Sequence, residues 1–204
     1  TPIVKGWLTE LSQEITYLGT QVHGGMGYIE ETGSAKFYRD ARIMTIYEGT
    51  TGIQGLDLAG RKTLGDNGEA LQGLLDEILE TAESMSAVDS LAVMGDALKK
   101  AAQSGEEARA WLLENGSQDR NAVGGASVNF MMLMGYLCGG WVMGKSALKA
   151  SQMLEAGNDD EPFLKAKQVT AQFYFEHLLP RTLSYLATVK SGSGSMMALD
   201  VEQF

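Results

Sequence analysis

The sequence predicts an all-α fold, a bundle of helices, and three features carry that expectation. Apolar residues recur at intervals of three and four along long stretches, the period of one helix face. Only 3 of the 204 residues are proline, so few positions forbid a continuing helix. Runs that alternate apolar and polar residues, the mark of a half-buried strand, are absent at useful length.

The elements follow in order. Ile3, Val4, Trp7, Leu8, Leu11, Ile15, Leu18 and Val22 mark one face of a helix over 3–22. Pro2 suits its start, and Gly24-Gly25 should end it. After the turn "HGGMGYIEETG" a helix is expected over 34–46, capped by Ser34 and presenting Phe37, Tyr38, Ala41, Met44 and Ile46. Thr50 or Thr51 should cap another through Ile53, Leu56, Leu58 and Ala59, ending near Leu64.

"GDNG" at 65–68 is the strongest internal break. It divides the chain into residues 1–64, a bundle over 65–191 and a tail over 192–204. Four long helices are expected in the bundle, at 69–85, 87–114, 119–156 and 161–190. "NG" at 115–116 and "AGNDD" at 156–160 separate them, and such short connections favour antiparallel neighbours. The most apolar run, "FMMLMGYLCGGWVMG" at 130–144, is shorter than the ~20 residues of a membrane span. Lys145 and Lys149 follow it at once, so it reads as a buried core helix. Gly135, Gly139, Gly140 and Gly144 would let a neighbour approach it closely. The tail ends with Met196, Met197, Leu199, Val201 and Phe204, apolar enough to dock.

Several function classes are excluded. A net charge of −10 argues against nucleic acid, whose affinity is built from Lys and Arg, and leaves no polybasic patch for an anionic membrane. The single cysteine, Cys138, excludes an internal disulfide and suits a reducing, cytoplasmic setting. His23 and His177, without a second Cys, cannot assemble a zinc site of the usual kind, so no metal is expected. A di-iron bundle needs Glu-x-x-His, and Thr20 and Tyr174 stand where its glutamates belong. No G-x-S-x-G occurs, and Cys138 reads as a small buried hydrophobe. "GGMGYIE" lacks the G-x-G-x-x-G of a dinucleotide fold. The opening "TPIVKGW" carries no signal-peptide pattern and reads like a segment from inside a longer protein.

Glu48 stands apart. It lies in "RDARIMTIYEGTTGIQ" between an apolar stretch and Gly49-Thr50-Thr51. One reading is a cap, with the carboxylate near the positive end of the next helix. The other is a carboxylate in an apolar wall, where partial desolvation strengthens it as a base for a weakly acidic carbon-bound proton. Upstream, Arg39, Asp40 and Arg42 are either an ordinary charged face or a buried pair that fixes the loop.

Residues 21–54, "QVHGGMGYIEETGSAKFYRDARIMTIYEGTTGIQ", resemble the C-terminal helical domain of acyl-CoA dehydrogenases. The Gln-x-x-Gly-Gly-x-Gly-Tyr turn, the Tyr-Arg-Asp-Ala-Arg segment and Ile-Tyr-Glu-Gly-Thr all fall in register. Residues from about 65 onward resemble the extra helical extension of the longer, 3-methylmercaptopropionyl-CoA dehydrogenase-like type. The resemblance implies an FAD enzyme that oxidises an acyl-CoA to the trans-2-enoyl-CoA. It makes Glu48 the base for the α-proton, sets Tyr47 and Gly49 against the acyl thioester and puts Thr50 against the flavin. It further sets Gln21, Gly24 and Gly25 against the adenosine diphosphate part of FAD, typically that of a neighbouring subunit. Gly52 departs from the family, which often has a polar FAD contact there. An electron-transfer flavoprotein as acceptor and a homo-oligomer are implied as well. The family's other domains are missing from this sequence, so the chain alone is expected to be inactive. An acyl-CoA oxidase-like or nitroalkane oxidase-like flavoprotein is an alternative, as is a non-catalytic oligomerisation module for 65–204.

Overall fold

The most apolar stretch of the sequence becomes the helix around which the others pack. This computed structural model describes residues 1–157 and 160–203; Asn158 and Asp159 of the expected "AGNDD" connection, and Phe204 of the tail, lie outside the described residues. Among the described residues every regular element is helical. A π-helical turn, Ile3–Trp7, leads into α1 (Leu8–Val22), followed by α2 (Gly25–Tyr28), α3 (Ser34–Arg42) and α4 (Thr51–Leu56). The bundle comprises α5 (Glu69–Ser86), α6 (Ala92–Gly116), α7 (Arg120–Glu155), α8 (Glu161–His177) and α9 (Arg181–Val189).

Helix α7 starts where Asp119, in extended backbone, accepts a hydrogen bond from the N–H of Asn121 at 2.8 Å. Phe130, Met131, Leu133, Met134 and Leu137 along it are fully buried. By length and composition α7 could cross a membrane, yet 61% of its apolar window is buried among the other helices. The glycine stripe takes in side chains from several partners. Trp7 packs on Gly135 and Gly139, Leu179 on Gly140 and Met85 on Gly144. Trp7, Leu58 and Ala59 thereby join Leu75, Phe130 and Leu137 in one hydrophobic core.

A polar tie reinforces that packing. The Arg181 guanidinium donates twice to the Glu14 carboxylate and once to the Tyr136 hydroxyl, each at 2.7 Å. Such bidentate pairs fix orientation as well as distance, so α1, α7 and α9 are held in one register. Hydrogen bonding to Arg181 holds the Glu14 carboxyl below its ordinary range. Trp7 meets the Tyr136 ring edge-on at 5.5 Å, and Tyr185 stacks on that ring at 5.8 Å.

Some boundaries differ from expectation, each for a local reason. The helix expected over 161–190 is two helices. Pro180 has no N–H and its ring cannot clear the carbonyl four residues back, so the chain turns at Leu178–Pro180. Helix α6 begins at Ala92, after Val88 in extended backbone and a 3-10 turn at Asp89–Leu91. Ser34 is no cap: Gly33, left-handed at φ 77°, takes that position, and the buried Ser34 hydroxyl donates to Thr20 Oγ1 at 3.3 Å. Helix α3 stops at Arg42 and continues as a 3-10 turn, Ile43–Thr45.

A Cβ at Gly135 would overlap Trp7, whereas one at Gly124, on the same helix, would meet nothing. Gly135→Val should lower stability by about 1–3 kcal/mol, the usual cost of overpacking. Gly124→Ala should raise it by roughly 0.5–1 kcal/mol through helix propensity alone. Denaturant midpoints of the two variants check the contrast.

Candidate active site

Helices α1 and α3 form a hairpin, Tyr17 facing Tyr38 at 6.5 Å between ring centres. At its closed end is the glycine turn. Gly24 has φ 59° and ψ −142°, a conformation open essentially to glycine alone. Gln21, Gly24 and Gly25 are all exposed there. Gln21 also lines a groove of about 810 Å³ with Tyr17, Tyr28, Tyr38 and Arg39. Of the two readings for Arg39, Asp40 and Arg42, the structure has the charged face and not the buried pair, since all three are exposed. Arg39 instead pairs with Glu30 at 2.8 Å, both exposed, because the turn brings Glu30 back beside α3.

At the open end of the hairpin lies Glu48. Tyr47 closes the preceding turn through its N–H to the Ile43 carbonyl at 3.1 Å. Glu48 then adopts φ 51° and Gly49 φ 95°. These two left-handed residues reverse the chain into α4. Thr50 caps that helix, its hydroxyl oxygen accepting from the Ile53 N–H at 3.4 Å. The left-handed region costs a residue with a Cβ about 1–2 kcal/mol. Glutamate lacks the short side chain that makes it cheaper for Asn67, the other such non-glycine among the described residues.

The surroundings hold the turn from both sides. The Lys5 ammonium donates to the Met44 carbonyl and sits over the Tyr47 ring, 5.2 Å from its centre. The Thr51 hydroxyl donates to the Glu10 carboxylate. Neither Lys5 nor Glu10 was legible as a site residue, because both bonds span about forty positions of sequence. The desolvated carboxylate expected at 48 is not found within this chain. Glu48 is exposed, and the wall of Ile43, Ile46 and Tyr47 beside it is itself about half exposed. Among the described residues the Lys5 side chain lies over that wall, at the Tyr47 ring.

Tyr47, Glu48, Gly49 and Thr50 are therefore one cluster, and Gln21, Gly24 and Gly25 another. Glu10 marks the first along α1 and Gln21 the second, a separation of about 17 Å of helix rise. The described residues hold no group of three or more His, Cys, Asp or Glu side chains suited to a metal. Burial raises the Cys138 thiol to about 11, which suits an inert core position.

A helical scaffold thus carries one carboxylate on a constrained turn and, apart from it, a glycine turn. Residues 74–200 match the family described as Acetyl-CoA dehydrogenase C-terminal like, and residues 1–63 match the Acyl-CoA dehydrogenase, C-terminal domain. The chain belongs to the acyl-CoA dehydrogenase family, in its C-terminal helical part. It is 46% identical to 3-methylmercaptopropionyl-CoA dehydrogenase of Ruegeria pomeroyi, over 87% of this chain and 30% of that protein. It is 31% identical to the broad-specificity linear acyl-CoA dehydrogenase FadE5 of Mycobacterium tuberculosis, over 100% of this chain and 34% of that protein. A shorter match, 41% identical over 28% of this chain and 15% of the relative, is to the caffeyl-CoA reductase-Etf complex subunit CarC of Acetobacterium woodii. The chain thus spans about a third of the length of the first two relatives.

Lys5→Met removes the charge-assisted bond to the turn and keeps most of the side chain's bulk. Backbone amides of residues 46–51 should then exchange with solvent at least about tenfold faster, the equivalent of roughly 1.5 kcal/mol in local opening. Hydrogen exchange read by mass spectrometry checks this, with α7 amides as the unchanged reference.

Proposed function

We propose that, in the full-length protein, this chain supplies the α-proton base and part of the flavin site of an FAD-dependent acyl-CoA dehydrogenase. The observation that carries the reading is Glu48 held in left-handed backbone, between anchors at Lys5 and Glu10. Backbone strain of this kind persists where the surroundings over-determine a conformation, and it clusters at active sites.

The residues present fit FAD. At Gly24 and Gly25 a Cβ would meet, among the described residues, no atom beyond its neighbours along the chain, so the turn is open to close approach from outside. Gln21 adds an exposed amide at the edge of the adjoining groove. Thr50 accepts its capping bond through oxygen and keeps its hydroxyl proton to donate. At position 52 glycine removes the polar contact expected there, which leaves Thr50 to serve the flavin on this turn. The separation of the two clusters supports their serving different parts of an extended cofactor, or two cofactors in adjacent subunits of a homo-oligomer.

Within that frame each residue has a task. The Glu48 carboxylate takes the proton from the carbon next to the thioester carbonyl. Its own N–H donates to that carbonyl and acidifies the carbon. Gly49 leaves room for the thioester, and the Tyr47 ring flanks it. FAD, when bound, supplies the acceptor for the β-hydrogen. Covering the apolar wall beside Glu48 with further protein would desolvate the carboxylate and strengthen it as a base. Helix α1 supports the same need, since its Ile15, Leu18 and Val22 stand at least half exposed. The chain by itself is accordingly inactive. A cytoplasmic setting, and an electron-transfer flavoprotein as acceptor, complete the reading; the latter is favoured by the Etf complex in one relative's name.

Glu48→Gln in the full-length protein tests the assignment. FAD content should be unchanged, while turnover of an acyl-CoA should fall by about 10³–10⁴-fold. Turnover near that of the unsubstituted protein would remove Glu48 from the role.

A further inference from the structure

Helices α7 and α8 enclose a groove of about 550 Å³ that is basic, in a chain of net charge −10. Lys145, Lys149 and Lys167 rim it, and Val142, Met153 and Phe163 supply its apolar surface. Val142 and Phe163 are more than half exposed. The Lys145 ammonium rests over the Trp141 ring at 4.3 Å and that of Lys167 over Phe163 at 5.0 Å. None of the three lysines belongs to an ion pair among the described residues. Three ammonium groups beside an unfilled apolar surface fit an occupant that is both acidic and apolar.

The chain carries a segment with that chemistry. Residues 191–203 contain Asp200 and Glu202 and no Lys or Arg. Met197, Leu199 and Val201 in it are exposed by 61%, 53% and 84%. Its front is seated on the far end of α7. The Ser193 hydroxyl donates to Asp119 at 2.6 Å, and the Met196 sulfur lies over Gly125. From Gly125 to Lys145 the helix rises about 30 Å. The seven residues that follow Met196, up to Gln203, span at most about 25 Å when fully extended. The segment therefore cannot fill the groove of its own molecule while Met196 keeps its seat.

We propose that residues 197–203 of one copy of the chain dock in the α7–α8 groove of a second copy. Asp200 and Glu202 meet the lysine rim, and Leu199 and Val201 cover Val142 and Phe163. The interaction is one of charge and shape between copies, and it is independent of the chemistry assigned to Glu48.

Cross-linking in the full-length protein tests it. Two differently tagged forms are co-expressed, one with Gln203→Cys and one with Ser146→Cys, and oxidised. The expected result is a disulfide-linked heterodimer, at least about tenfold above a control pair of Gln203→Cys with Ser184→Cys on α9. Lysine reversal (K145E, K149E and K167E) should cut the yield about tenfold, as for charge pairs that select partners. Adding D200K and E202K to the Gln203→Cys form should restore it. A yield no higher than the control, indifference to the lysine reversal, or failure of the swap to restore it would each overturn the proposal. Vesicles of anionic lipid are the second probe: lysine-dependent binding to them, with no cross-link, assigns the groove to a lipid surface instead.

Discussion

The fold rests on a place where side chains are missing. At Gly135 and Gly139 the backbone of α7 is bare, and Trp7 lies directly on it. Any Cβ there would push Trp7 outward, and with it the turn that begins α1. That turn carries Lys5, and α1 carries Glu10, the two residues that hold the Glu48 turn. A glycine in the bundle thus sets the position of a carboxylate more than eighty residues away in sequence. Two glycines in a helix interior cost about 1 kcal/mol each in propensity, a cost offset by burying an aromatic side chain of 150–250 Å² or so.

Arg181 does by charge what Trp7 does by packing. It comes from α9, the last helix of the bundle, and it reaches Glu14 on α1 and Tyr136 on α7 together. Residues 1–64 and the bundle behind them consequently share a core and a polar lock. The bundle buttresses the site without contributing a residue to it.

Helix type and order were legible because period and breakers act locally. The 3.6-residue apolar period placed α1, α5 and α7 to within a few residues, and Thr50 was readable as a cap from its neighbours. The glycine stripe was readable as a contact surface, although its partners were not. What escaped were effects of distant residues or competing local geometry. Pro180 divided a helix whose apolar period ran straight through it, and Gly33 displaced Ser34 from the cap. At the site, sequence alone left Glu48 open between cap and base. The likeness of residues 21–54 to a family singled it out, while Lys5 and Glu10 stayed hidden because only folding brings them to the turn. The expected desolvation of Glu48 also failed within this chain, since Glu48 is exposed and the wall beside it stays about half exposed.

On the proposed reading, this constrained turn presents Glu48 to the α-carbon of an acyl thioester once the rest of the protein encloses it. The most direct measurement is a crystal structure of the full-length protein with FAD and a non-oxidisable acyl-CoA analogue. The expected result is a buried Glu48 carboxylate within about 3.5 Å of the α-carbon, the separation of a near-attack arrangement. A Glu48 side chain still in solvent, with a different carboxylate against that carbon, would contradict it.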